Sequence, residues 1–141
     1  MKRFLVLALT ILCLMASCGD HRDTPTSPEE VRITTQDGVE YAPLYAWIFS
    51  YDNGLSADGT RYGADHIAKE LADSAPIQAP FSFNLDGKDF SVYDLQGNTL
   101  SYRCEGIQLP TDSGTYICAF EATFGNNKSY QGYLFYFKFT V

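Results

Sequence analysis

The stretch Thr115–Val141, TYICAFEATFGNNKSYQGYLFYFKFTV, has the strongest pattern in this chain of 141 residues. Large apolar side chains occupy alternate positions on both sides of the polar loop 125–128. Because successive side chains of a strand point to opposite faces, each run places its apolar residues on one face. These residues are Tyr116, Cys118, Phe120, Ala122 and Phe124 before the loop, and Tyr133, Phe135, Phe137, Phe139 and Val141 after it. The pattern predicts an antiparallel hairpin whose aromatic face closes a hydrophobic core.

Short apolar runs separated by turn residues also fill most of the chain between residues 31 and 114. Asp86-Gly87 is a hairpin signal, and it predicts that the apolar runs on its two sides pair with each other. Residues 64–73 form the one helical stretch, in which Ile67 and Leu71 lie one turn apart and face the core. About seven short strands at this spacing predict an all-β sandwich, or a small barrel, with one short helix.

The first eighteen residues have the composition of an export signal. Lys2 and Arg3 precede an apolar run that is too short for the roughly 20 residues of a membrane-spanning helix. Small Ser17 then precedes Cys18, and this ending resembles the lipobox of bacterial lipoproteins, with Met15 where Leu is usual. The resemblance implies a signal peptide over residues 1–17, a lipid on Cys18 and a place in the bacterial cell envelope, at the outer membrane.

The next residues predict a tether and a single domain. Residues 19–30, GDHRDTPTSPEE, are polar and contain two prolines, so we expect a flexible tether over 18–30 and one domain over 31–141. The signal peptide holds two of the ten Lys and Arg residues and none of the 17 acids, so the net charge after cleavage is −9. This charge disfavours nucleic-acid binding, and we expect membrane contact only through the lipid.

The cysteines predict one disulfide. Cys13 leaves with the signal peptide and Cys18 takes the lipid, so Cys104 and Cys118 remain in an oxidising compartment. A bond between them would close a loop of about 15 residues, which contributes roughly 3 kcal/mol in the chain-entropy model. The alternative is two buried free thiols.

The segment from Asp112 to Cys118, DSGTYIC, resembles the D-x-G-x-Y-x-C segment of immunoglobulin domains. The resemblance implies an immunoglobulin-like β-sandwich, with another sandwich or a lipocalin-like barrel as the alternatives. It also implies that Tyr116 is a corner residue whose hydroxyl bonds to preceding backbone, with Asp112 and Gly114 shaping the turn. Trp47 would then be the buried tryptophan of the core. The family implies recognition or adhesion.

Catalytic signals are weak. His66 is the domain's one histidine, and it shares a helix face with Asp65 and Glu70, a pattern typical of a solvated helix face. Phosphate-loop, nucleophile-elbow and zinc motifs do not occur in the sequence. We therefore expect no catalytic residue, no metal and no cofactor.

The surplus of aromatic residues has two interpretations. The one favoured by the sequence is that the tyrosines pack the second face of the sheet under the helix. The other is binding, because exposed tyrosines stack on sugars or anchor protein interfaces. The candidate ligand-binding residues are Tyr51, Asp52, Tyr62, His66 and Tyr136. The expected function is a lipid-anchored, non-enzymatic binding or adhesion module that recognises a protein or a glycan. The alternatives are a small envelope hydrolase or metal-dependent enzyme centred on His66, and a lipoprotein that inhibits another enzyme.

Overall fold

The computed structural model describes residues 24–85, 88–103 and 106–141. A 3-10 turn, Pro28–Glu30, opens the described part of the chain. One helix and ten strands follow in these ranges: β1 (Ile33–Thr35), β2 (Glu40–Tyr41), β3 (Leu44–Asp52), β4 (Leu55–Asp58), α1 (Ala64–Glu70), β5 (Ile77–Gln78), β6 (Phe81–Phe83), β7 (Lys88–Tyr93), β8 (Thr99–Arg103), β9 (Thr115–Gly125) and β10 (Ser129–Thr140). The all-β, sandwich-like architecture with one short helix is the predicted one.

Strand β10 is the centre of a seven-stranded sheet. Six strands follow the order β4-β3-β10-β9-β7-β8, and β5 runs parallel to the end of β10. The predicted hairpin of β9 and β10 is confirmed: Phe135 lies opposite Phe120, and Phe137 lies opposite Cys118. The last strand is therefore held by hydrogen bonds on both of its sides.

A smaller sheet of three strands, β2-β1-β6, covers the aromatic face of the hairpin. Ile33 of β1 is fully buried, and the ring of Phe83 on β6 lies 4.8 Å from that of Phe120 on β9. One hydrophobic cluster thus includes residues of both sheets, which is the packing of a sandwich. Fully burying a side chain of this size contributes roughly 1.5–3 kcal/mol.

The hairpin predicted at Asp86-Gly87 does not form. Strand β6 pairs with β1 in the small sheet, where Ser82 lies opposite Thr34, whereas β7 pairs with β8 and β9 in the large sheet. Asp86 and Gly87 themselves lie outside the described residues. The physical reason is that the rings of β6 pack across the core onto Phe137 and Phe120, so β6 must belong to the opposite layer.

Helix α1 covers part of the outer face of the large sheet. Ile67 and Leu71 are buried as predicted, and they pack with Ile117, Ala119 and Tyr136. The helix ends at Glu70, three residues before the predicted end, and a turn follows. Lys138 of β10 donates a hydrogen bond to the carbonyl oxygen of Ala72 in that turn, at 2.9 Å.

The end of the predicted tether packs onto the domain. Pro25 and Pro28 are buried. The Asn84 side chain accepts a hydrogen bond from the backbone N–H of Arg32 and donates one to the backbone carbonyl of Glu30, each 2.8 Å long. Pro25, Pro28 and Glu30 of the predicted tether thus contact the rest of the described chain. Five residues lie between Cys18 and Thr24, so the six Cα-to-Cα steps that join them span at most about 22 Å.

Candidate functional site

The outer face of the large sheet is open beside the helix and forms a cleft there. We call it the outer cleft, and its main lining residues are Phe49, Arg61, Tyr62, Asp89, Tyr102 and Glu121. This cavity has a volume of about 290 Å³. A neighbouring cavity of about 270 Å³ shares Phe49, Asp89 and Glu121 with it and is bordered by Thr24 and Pro25. The two cavities therefore adjoin, with both carboxylates at their junction.

A β-bulge in β7 places Asp89 in the cleft. Ser91 lies opposite Ala119, but the regular pairing breaks between Lys88 and Ser91. Asp89 has a φ of +54°, and the next residue, Phe90, is buried in the core. The Tyr102 hydroxyl donates a hydrogen bond of 2.8 Å to Asp89 Oδ1. Bulges commonly redirect a side chain in this way at functional sites.

A glycine on the central strand makes room for the aromatic wall of the cleft. The ring of Phe49 lies against Gly132, where an added Cβ would clash with the ring. A second bulge, in β3, lies beside it, because Phe49 is opposite Gly132 and Trp47 is opposite Tyr133. The ring of Phe49 also meets that of Tyr130 edge-on, with centroids 6.1 Å apart. Phe49 is thus held in place by the sheet itself.

The electrostatics of the cleft centre on Glu121. Partial burial of its carboxyl is the main cause that raises its pKa, and the nearby charge of Asp89 raises this pKa further. Arg61 acts in the opposite direction and lowers the pKa of Glu121. The cleft therefore combines two acceptor carboxylates with one guanidinium donor.

Three of the predicted ligand-binding residues come together beside the helix. The rings of Tyr62 and His66 are stacked, with centroids 4.2 Å apart. His66 Nε2 lies 3.1 Å from Glu70 Oε1, and the Tyr136 hydroxyl donates a hydrogen bond to Glu70 Oε2. Tyr136 is 3% exposed and belongs to the core under the helix, so its assignment to a ligand site is corrected. Burial and the bond to Glu70 raise the pKa of Tyr136.

The other two predicted residues lie at the far end of β3. Tyr51 stacks on Tyr130 of the neighbouring strand, with ring centroids 5.2 Å apart. Asp52 ends the strand and accepts a hydrogen bond from Asn53 Nδ2, at 2.9 Å. The five predicted residues thus occupy two separate places, and only Tyr62 among them lines the outer cleft.

The segment that resembles an immunoglobulin corner forms a corner here. The Tyr116 hydroxyl donates a hydrogen bond of 2.9 Å to the carbonyl oxygen of Asp112. Gly114 exchanges backbone hydrogen bonds with Val141, and a Cβ at Gly114 would lie 3.1 Å from the Tyr116 hydroxyl. These contacts fix the entry to β9, so their role is architectural.

Trp47 does not occupy the core. Its side chain is 39% exposed, and its ring lies over Gly59, where an added Cβ would be 2.5 Å from a ring atom. Strand β3 is the second strand from the β4 edge of the sheet, on the far side of β10 from β9. The role of a buried core tryptophan, which the resemblance implied, is therefore corrected.

Cys118 is a free thiol that is fully buried. Burial raises the pKa of this thiol strongly. Cys118 lies opposite Val92, which in turn lies opposite Ser101 of β8. Cys104, the predicted partner, lies outside the described residues, as do Cys18 and the predicted signal peptide.

Sequence patterns alone missed most of the cleft. The one signal in the sequence was Glu121, the single charged residue in the apolar strand β9.

Within the described residues, no group of three His, Cys, Asp or Glu side chains could hold a metal ion. Across the same ranges, no helix is long and apolar enough to cross a membrane. Comparison of the chain with protein-family models, curated proteins and solved structures found no match.

Proposed function

We propose that this protein is a lipid-anchored, non-enzymatic binding module of the bacterial cell envelope, and that the outer cleft takes its ligand. The observation that carries the proposal is the cleft itself, in which aromatic rings and a few polar groups converge on one concave surface. This combination is typical of small-ligand sites in proteins. The lipobox-like Ser17-Cys18 and the apolar run before it support the place in the envelope.

The way the cleft is built also favours binding over structural packing. Phe49, Asp89 and Glu121 lie on β3, β7 and β9, and each of these strands pairs with a neighbour on both sides. Sites on strands are held more precisely than sites on loops. Tyr102 lies on the edge strand β8, and Arg61 and Tyr62 lie on the loop before the helix. A preorganised surface of this kind supports recognition of a protein or a glycan.

The anchor and the ligand are tested separately with the full-length chain expressed in a bacterium. Mass spectrometry should find an acylated Cys18 as the new N-terminus, and Cys18→Ser should leave the membrane fraction. A Cys18→Ser protein that is still cleaved there and still membrane-bound would contradict the anchor.

For the ligand, the purified full-length protein is immobilised in detergent and offered envelope protein and envelope polysaccharide fractions. Wild type should retain material from one fraction, whereas Tyr102→Ala should retain much less. Tyr102 is 57% exposed, so this change should not unfold the domain. Tyr41→Ala, in the small sheet, is the matched control. Retention of nothing by wild type would refute the binding function.

A second candidate is a small envelope hydrolase centred on His66. The observation that favours it is the chain of contacts from Tyr136 through Glu70 to His66, since a carboxylate often orients a catalytic histidine. A hydrolytic activity on envelope substrates that disappears in His66→Ala, with the fold intact, would favour the enzyme over the binding module.

A further inference from the structure

We propose that the outer cleft is a saccharide site, and that the neighbouring cavity, which residues 24 and 25 border, extends it. The inference rests on the proposed binding function and names the class of its ligand. It is carried by the side chains of the two adjoining cavities and by the packing of the tether end beside them.

The aromatic part of the cleft fits the apolar faces of sugar rings. Phe49, Tyr62 and Tyr102 come from β3, from the loop before α1 and from β8, so rings border the cleft on several sides. Tyrosine offers a flat apolar surface together with a hydroxyl that forms hydrogen bonds. A sugar presents the same combination of C–H faces and hydroxyl groups.

The polar part of the cleft fits groups that both donate and accept hydrogen bonds. Asp89 and Glu121 accept, Arg61 donates, and Ser91 does both. An apolar ligand would bury both carboxylates further and donate no hydrogen bond to either, which is costly even though Asp89 already accepts one from Tyr102. An anionic ligand would be repelled by both carboxylates. The raised pKa of Glu121 supports this arrangement, because it reflects partial burial and the nearby charge of Asp89.

Arg61 makes a cationic ligand less favourable in this cavity than a saccharide. A cation such as a lysine side chain would gain from Asp89 and Glu121 but would be repelled by Arg61, which lines the same cavity. A neutral sugar uses all three groups, since its hydroxyls donate to the carboxylates and accept from the guanidinium. Because Arg61 offsets one of the two carboxylates, a cation gains less here than it would from both, whereas a saccharide uses all three groups; a basic peptide is therefore the competing probe in the test.

The position of residues 24 and 25 limits where the saccharide can lie relative to the membrane. Thr24 and Pro25 border the cavity that adjoins the outer cleft, and Pro25 is buried. The segment from Thr24 back to Cys18 spans at most about 22 Å. With the lipid on Cys18, the cleft lies close to the membrane surface. The ligand is thus a saccharide displayed at that surface or able to diffuse to it.

The test measures binding of full-length protein, purified in detergent, to an array of immobilised oligosaccharides and to a lysine-rich peptide. Wild type should bind one or more oligosaccharides. Tyr102→Ala and Arg61→Ala should each weaken that binding about tenfold, the effect of losing one strong polar or stacking contact. Tyr41→Ala and Arg103→Ala are the matched controls, because both residues are exposed and neither lines the outer cleft. Both should bind like wild type.

Each of the other outcomes overturns a different part of the proposal. Binding of the basic peptide instead, strengthened by Arg61→Ala and weakened by Glu121→Gln, would keep the binding function and refute the saccharide. Saccharide binding that is the same in Tyr102→Ala and Arg61→Ala as in wild type would place the sugar outside the outer cleft. If the protein binds neither probe, the saccharide proposal is refuted. The binding function is refuted as well only if the protein also retains nothing from the envelope fractions.

Discussion

Replacing Phe120 by Ala tests the central packing of the sandwich. Phe120 is fully buried on β9, and its ring lies 4.8 Å from Phe83 of the small sheet and 5.2 Å from both Phe90 and Phe135 of the large sheet. The change removes contacts across both layers and leaves a cavity, for which a Phe→Ala substitution costs about 3–5 kcal/mol. For a domain of this size, we expect the melting temperature to fall by about 10–20 °C.

The assay is urea unfolding followed by circular dichroism and by tryptophan fluorescence. Leu55→Ala is the control, because Leu55 is 78% exposed and its loss should change the free energy of unfolding by less than about 0.5 kcal/mol. If Phe120→Ala does not fold, Phe120→Leu gives a smaller loss of the same sign. A loss below about 1 kcal/mol in Phe120→Ala would refute the two-layer core.

Three further results follow from particular contacts. Tyr116→Phe removes the hydrogen bond to the Asp112 carbonyl and should cost about 1 kcal/mol of unfolding free energy; an unchanged urea midpoint would contradict the corner role. The Cys118 thiol should resist alkylating reagents in the native protein and react after unfolding, because its burial excludes reagent and raises its pKa; rapid native labelling would contradict that burial. The pKa of Glu121 is raised in the folded state, so its contribution to stability is fully present below the unfolded value near 4.5 and is lost as pH rises through the folded pKa. Unfolding measured from pH 4 to 7 should therefore show a shallower loss of stability in Glu121→Gln than in wild type, and equal slopes would show that Glu121 is not perturbed.

Strong alternation in the sequence was enough to predict the hairpin at the end of the chain. In β9 and β10 every second residue is apolar, and the structure buries Phe120, Phe135, Phe137 and Phe139 on one shared face. The helix was equally visible, because Ile67 and Leu71 lie one turn apart and both are buried. These features are local, and a local pattern of side chains determines them.

Strand pairing was predicted less well where a turn signal competed with packing. Asp86-Gly87 favours a hairpin, but the rings of Phe81 and Phe83 pack across the core, so β6 joins the other sheet. The outer cleft was not predicted for a related reason. Its residues are far apart in the chain, and two bulges and one glycine on the central strand bring them together.

The sequence by itself determined the all-β class, the aromatic hairpin and the position of the helix, because alternation and spacing dictate which face of each element is apolar. It also predicted the export signal, which depends only on the order of residues 1–18. The tertiary structure alone decided which strands share a sheet and that Asp89 and Glu121 line one cleft. These properties depend on packing between distant segments, since register breaks and crossings between layers leave no periodic trace in the chain.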